Sequence, residues 1–130
     1  ISLRALLTEV INNVKKLMPG MDTISIGFQC DEIFPRSERA KAAALVMLEL
    51  ITNSITHAFP NRLGAIHVAV HNDGNHCTAV VEDNGIGIVE LSANAMGLNI
   101  PSSIVKDQLE GSFSIISNTN GTKVIFTFIP

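Results

Sequence analysis

Residues 65–87 read Ala65-Ile-His-Val-Ala-Val-His71-Asn-Asp73-Gly74-Asn-His76-Cys77-Thr-Ala-Val-Val-Glu-Asp83-Asn-Gly85-Ile-Gly87. Apolar residues alternate from Ala65 to His71 and again from Cys77 to Asp83, the period of a strand with one buried face. The Asp73-Gly74 step between them marks a tight antiparallel hairpin. The second strand runs directly into Asp83-Asn84-Gly85-Ile86-Gly87, where an acid is followed by two glycines that let the backbone turn sharply and lie close to a flat ligand.

Upstream, Ser37 is placed to cap a long helix through the alanine-rich Ala40–Leu45 to about Ala58, where Phe59-Pro60-Asn61 breaks it. Before that, Ser2 caps a segment with Leu3, Leu6, Leu7, Val10, Ile11, Val14, Leu17 and Met18 at helical spacing, ended by Pro19-Gly20. Thr23–Cys30 alternates as a strand. Downstream, Gly97 opens a helix that carries Leu98, Ile100, Ile104, Val105 and Leu109 and closes at Gly111, with Pro101 tolerated in its first turn. Ser112–Ser117 and Thr122–Ile129 form a second hairpin about Asn118-Thr-Asn-Gly121. Helices alternating with hairpin-joined strands predict an α/β (α+β) fold, a two-layer sandwich whose mixed, largely antiparallel sheet carries helices on one face.

The 130 residues, 46% hydrophobic and 16% charged, suit one domain with one core. No apolar run approaches the roughly 20 residues of a membrane span, so no membrane contact by this domain is expected. The net charge is −3 and the basic residues are scattered, which argues against a nucleic-acid partner. Arg36, Arg39 and Lys41 form the nearest thing to a cluster and read as a solvated helix start. Cys30 and Cys77 lack CxxC spacing and read as buried reduced thiols of a cytoplasmic protein. The chain starts at Ile1 and is read as one domain, residues 1–130, excised from a longer protein with a membrane anchor as one option.

The long helix carries Glu49-Leu-Ile-Thr-Asn53-Ser-Ile-Thr-His57. Glu49, Asn53, Thr56 and His57 fall on one stripe, so a carboxylate, an amide and an imidazole converge on a helix otherwise built for burial. A magnesium ion bridging triphosphate oxygens would satisfy the Asn53 amide, and Glu49 could orient or deprotonate a nucleophile near the terminal phosphate. Asp83, an acceptor in an apolar setting, suits an exocyclic amine donor. Taken singly, the stripe also fits an ordinary helix flank, and Asp83-Asn84-Gly85 also fits a plain hairpin turn.

In order, Glu49-x-x-x-Asn53-x-x-x-His57, Asp83-x-Gly85-x-Gly87, Gly97-Leu98 and Gly121-Thr122 resemble the N box, two glycine boxes and terminal Gly-Thr of the GHKL or Bergerat-fold ATPases. The wording Leu-Glu-Leu-Ile-Thr-Asn-Ser-Ile-Thr-His-Ala-Phe-Pro is similar to the sensor histidine kinase branch. The resemblance spans Ser2 to Pro130.

It implies a Bergerat fold and a kinase that binds ATP with Mg2+ and donates the γ-phosphate to a histidine on a separate dimerisation domain, with a response regulator reached indirectly. Asn53 would hold the metal and Glu49 would act as, or beside, the general base. Asp83, helped by Thr122, would bind the adenine amine. Gly85 and Gly87 would admit base and sugar, Gly97 and Leu98 would meet phosphates at a helix start, and His57 would complete the N box. His57 is not read as the phosphoacceptor, which in the family lies on a preceding helical hairpin.

Three departures predict a weak or readily opened site. Thr56 stands where many kinases carry a cation, Ala95-Met96-Gly97 is thin for a glycine box, and Ile88–Met96 is short for a lid and holds no lysine or arginine. Arg62 and Lys106 are the nearest cationic substitutes. Two alternatives follow: an anti-sigma-factor type serine kinase, and a kinase-like scaffold or phosphotransfer partner without turnover. His67 and His71 share a strand face but stand too far apart, at about 3.3 Å per residue, to bind one ion. His71 and His76 flank the hairpin turn and are read as exposed.

Overall fold

A computed structural model of the chain describes residues 1–59, 63–87 and 98–130. Helix α1 (Leu3–Leu17) begins where the Ser2 hydroxyl accepts from Ala5 N at 3.2 Å, and it buries Leu3, Leu7, Ile11 and Val14. Strand β1 (Ile24–Cys30) follows. Helix α2 (Ser37–Asn53) buries Ala40, Ala42–Ala44, Val46, Met47, Leu50 and Ile51, a broad apolar surface matched to its place between α1 and α3. Small alanines let these neighbours come close on two sides. The expected cap is corrected here: Ser37 is the first helical residue, Arg36 holds the cap position, and no side chain caps the end.

Strands β2 (Gly64–Asn72) and β3 (Cys77–Asp83) form the expected hairpin, with Gly74 at φ +97° in the turn. Helix α3 covers Asn99–Asp107, with Leu98 at its cap position, and ends before Leu109 and Gly111, to which the sequence spacing carries it. Strands β4 (Phe113–Asn118) and β5 (Gly121–Phe128) complete the sheet, whose order is β1-β2-β3-β5-β4. β1 and β2 run parallel and every other pair is antiparallel. The parallel pair requires a crossover, and α2 supplies it. The mixed, largely antiparallel two-layer sandwich is therefore the observed architecture.

Strand period decides which side chains meet the helices. Ile66, Val68 and Val70 of β2, Cys77, Ala79 and Val81 of β3, and Val124, Phe126 and Phe128 of β5 are buried in one core with the apolar residues of the helices. Asp83 and Thr122 continue the same two faces at the strand ends and pair in register. Both are thus delivered, buried, to the helix side.

One charged residue departs from expectation. Arg39 is buried, not solvated: Nη1 donates to the carbonyls of Ile129 at 2.8 Å and Leu109 at 3.4 Å, and Nη2 to Glu110 Oε1 at 2.9 Å. The Cys30 and Cys77 thiols are both free, with Cys77 fully buried. Burial pushes Cys30 up to about 11 and also raises Cys77.

Candidate functional site

The helix that carries the first motif does not remain α-helical. Ser54–Ala58 form a π-helical turn, held at its end where Ile86 N donates to the Ala58 carbonyl at 3.0 Å. Such wide turns are uncommon and concentrate at functional sites. Its effect is to change the stripe that uniform α-helical spacing predicts. Asn53 and Ser54, consecutive in sequence, both line one pocket, together with Leu50, Ala58, Asp83, Gly87, Leu98, Thr122 and Val124. Glu49 is half-buried one turn earlier and outside this lining, while Thr56 and His57 are exposed.

Asp83 is held on three sides. Oδ2 accepts from the Ser54 hydroxyl at 2.9 Å, and Oδ1 accepts from Gly85 N at 3.0 Å and Thr122 N at 3.3 Å. Every partner is a donor, the setting a carboxylate takes. The Thr122 hydroxyl lies 2.9 Å from that of Ser117, its register partner on β4. Ser54 and Ser117 are the contributors that sequence reasoning missed. The signal for Ser54 was a hydroxyl directly after Asn53 in an otherwise apolar helix.

Asn53 behaves differently. Its Nδ2 is buried with no hydrogen-bond partner among the described residues. Such an atom costs about 1–3 kcal/mol when left unmet, so the pocket carries a polar group that no described residue satisfies. A half-turn of the amide presents the oxygen in its place.

The glycines serve the backbone as well as the space. A Cβ on Gly85 would sit 2.3 Å from the Ala58 carbonyl oxygen, and one on Gly87 would sit 2.0 Å from that of Asn118. Close packing of the loop on the π turn and on β4 is therefore what excludes larger residues. Leu98 is buried in the lining at the cap of α3, whose first amides have no side-chain cap, so the positive end of that helix is open to an anion. Gly97, the sequence Ile88–Met96 and Arg62 lie outside the described residues. No lysine or arginine is among the lining residues described, and Lys106 sits in the last turn of α3, at the far end from Leu98.

Among the described residues no group of three or more His, Cys, Asp or Glu side chains could hold a metal ion. The Asp83 oxygens already accept from protein donors, which leaves the Asn53 amide as the hard-oxygen donor in the described lining without a full set of protein partners. That set fits magnesium, which takes one or two protein ligands together with phosphate oxygens and water. The histidines at the hairpin do not join it: His71 Nδ1 lies 3.9 Å from Asp31 Oδ2, and His76 Nε2 lies 3.5 Å from Asp73 Oδ2.

The buried acceptor, the orphaned amide and the uncapped helix start all lie within residues 38–130, the stretch matched by the profile of a known family. The chain belongs to the histidine kinase-, DNA gyrase B- and HSP90-like ATPases. The sensor histidine kinase PdtaS of Mycobacterium tuberculosis is 25% identical over 130 residues, 92% of this chain and 26% of its own length. The present chain thus spans about a quarter of that curated relative. The histidine kinase domain of the Erythrobacter litoralis EL346 blue-light activated kinase superposes with a TM-score of 0.88 at 24% identity, covering 98% of this chain and 65% of that one. An anti-sigma F factor of Clostridium kluyveri is 29% identical over 65 residues, half of this chain and 46% of its length. The ATPase domain described here is of the histidine kinase type, and its family supports kinase or ATPase chemistry at a nucleotide site.

Proposed function

We propose that residues 1–130 form the ATP-binding domain of a longer cytoplasmic-facing sensor kinase, which binds Mg-ATP and donates the γ-phosphate to a histidine on a separate dimerisation domain. A response regulator then receives the phosphate. The observation that carries this reading is the unpartnered, buried Asn53 amide in the same pocket as the triply held Asp83 carboxylate. One end of the pocket waits for a donor and the other for a charged, oxygen-rich group.

Asp83 accepts the exocyclic amine of adenine, and Thr122 supports it through its backbone N–H to Oδ1. Gly85 and Gly87 let base and sugar lie against backbone. Asn53 holds the metal through its amide oxygen, and the bound Mg2+ neutralises phosphate charge. Gly97 and Leu98 would meet the phosphates in this reading, and the α3 start, which has no side-chain cap at Leu98, favours anions. Glu49, one turn before Asn53 and half-buried, acts as or beside the general base. His57 completes the N box from the exposed side of the π turn. In phosphoryl transfer the protein contributes positioning and charge stabilisation above all. With no cation in the described lining, this site relies on metal and helix dipole, which is consistent with weak nucleotide affinity.

The match to an anti-sigma F factor supports a second reading, a kinase acting on a protein serine. Incubation with γ-labelled ATP and a histidine-bearing dimerisation domain separates the two. Acid-labile label on that domain supports histidine transfer. Acid-stable label on a protein serine supports the second reading, and nucleotide binding with no label on any acceptor supports a scaffold.

A further inference from the structure

We infer that Ser54 is a positioning residue of the base subsite, setting how many donors Asp83 can still accept and therefore which base it takes. The inference rests on the nucleotide reading above. A helical serine or threonine usually returns its hydroxyl to a carbonyl one turn back, and Thr52 does so, donating to Leu48 O at 2.9 Å. Ser54, two residues later, reaches across 29 positions to Asp83 Oδ2 at 2.9 Å. The π turn that begins at Ser54 makes this possible, because Asn53 and Ser54 then both face the pocket.

A carboxylate offers about four acceptor sites. Gly85 N and Thr122 N fill two on Oδ1, and Ser54 fills one on Oδ2. Among the described residues nothing fills the fourth, on Oδ2 beside the pocket. With Ser54 in place the carboxylate is held by donors from three elements, the π turn, the loop after β3 and the start of β5, and its open site has one direction. A base with an exocyclic amine meets it. A base that lacks the amine leaves it unmet, at the cost of a buried unpaired acceptor. Without the Ser54 hydroxyl, Oδ2 has two open sites and is free to turn about Oδ1, so the preference for an amine should weaken.

Titration calorimetry of this chain with ATP and with purine riboside triphosphate, which lacks the amine, both with Mg2+, tests the inference. The wild type is expected to prefer ATP. Ser54→Ala is expected to lose about five- to tenfold in ATP affinity, the scale of one hydrogen bond, and to hold the amine-free analogue as before. Ser54→Thr, which keeps the hydroxyl, is expected to retain the preference. Equal losses for both nucleotides in Ser54→Ala, or no loss for ATP, overturn the role of Ser54 and leave the nucleotide reading standing. A wild type that binds both equally overturns the Asp83–amine reading and this inference with it. Should Ser54→Ala fail to fold by circular dichroism, Ser54→Cys, which replaces the hydroxyl with a weak donor, carries the same comparison.

Discussion

Arg39 Nη1 donates to the carbonyl of Ile129 at 2.8 Å and so ties the first turn of α2 to the end of β5, 90 positions away. The same guanidinium reaches Leu109 O and Glu110 at the end of α3. Its side chain is 9% exposed while that of Glu110 is 67% exposed, so the carbonyl bonds matter more than the ion pair. Arg39→Met, which keeps the stem and removes the donors, is expected to cost about 2–3 kcal/mol in urea unfolding. Glu110→Gln should cost at most about 1 kcal/mol. Because Glu110 sits at φ +52°, Glu110→Gly should come out close to neutral, the relief of left-handed strain offsetting the lost pair.

Asn53→Ala should separate stability from binding. It deletes a buried amide nitrogen that has no partner among the described residues, so the nucleotide-free variant is expected to melt at the wild-type temperature or a few degrees higher. Saturating Mg-ATP should raise the melting temperature of the wild type and leave that of Asn53→Ala unmoved. A nucleotide-free variant destabilised by more than about 2 kcal/mol would mean that the amide is satisfied from within the fold.

Gly121 shows how tightly the glycines are placed. At φ +141° a Cβ there would lie 2.0 Å from the Asp83 carbonyl oxygen. Gly121→Ala is expected to cost about 3 kcal/mol through strain and overpacking together, and to weaken nucleotide binding by displacing Asp83. Gly74, at φ +97° with open space around it, should cost only about 1 kcal/mol as Ala. Denaturant midpoints compare the two.

The thiols set an alkaline limit. Cys30 is pushed from 9.0 to about 11, chiefly by burial, with Arg4 opposing and Asp31, Glu32 and Cys77 adding to the rise; Cys77 moves the same way. Above pH 9 the unfolded chain releases these protons first, so the folded state binds more and stability falls as pH rises. The contribution is complete below about pH 9 and fades toward pH 11. Cys30→Ser should flatten that decline in melts from pH 8 to 11. Disulfide-exchange labelling at pH 8 should be slow, with the half-buried Cys30 reacting before Cys77.

Much of the fold is legible because its signals are local. The alternation around Asp73-Gly74 marks two strands to within a residue, and Ser2 caps α1 as its position suggests. Asp83 and Asn53 stand out only through the order of the four motifs, since each alone also fits a plain turn or an ordinary helix flank, and the structure brings both to one pocket. What escapes is non-local. Arg39 looks like any basic residue in a first turn until the carbonyls of Leu109, after α3, and Ile129, after β5, arrive to receive it. Ser54 escapes because regular 3.6-residue spacing turns it away from Asn53, and only the π turn brings both to the pocket. Ser37 misleads because Pro35 and Arg36 set the approach to α2 without needing a hydroxyl.

Asp83 and Thr122 are register partners on neighbouring strands although 39 positions separate them. Between them the chain forms α3 and then β4, the strand on the sheet edge, before β5 returns to pair with β3. What holds Asp83 in place is the register of β3 on β5 and not the length of sequence between Gly87 and Leu98, so insertions there are expected to leave the carboxylate where it is.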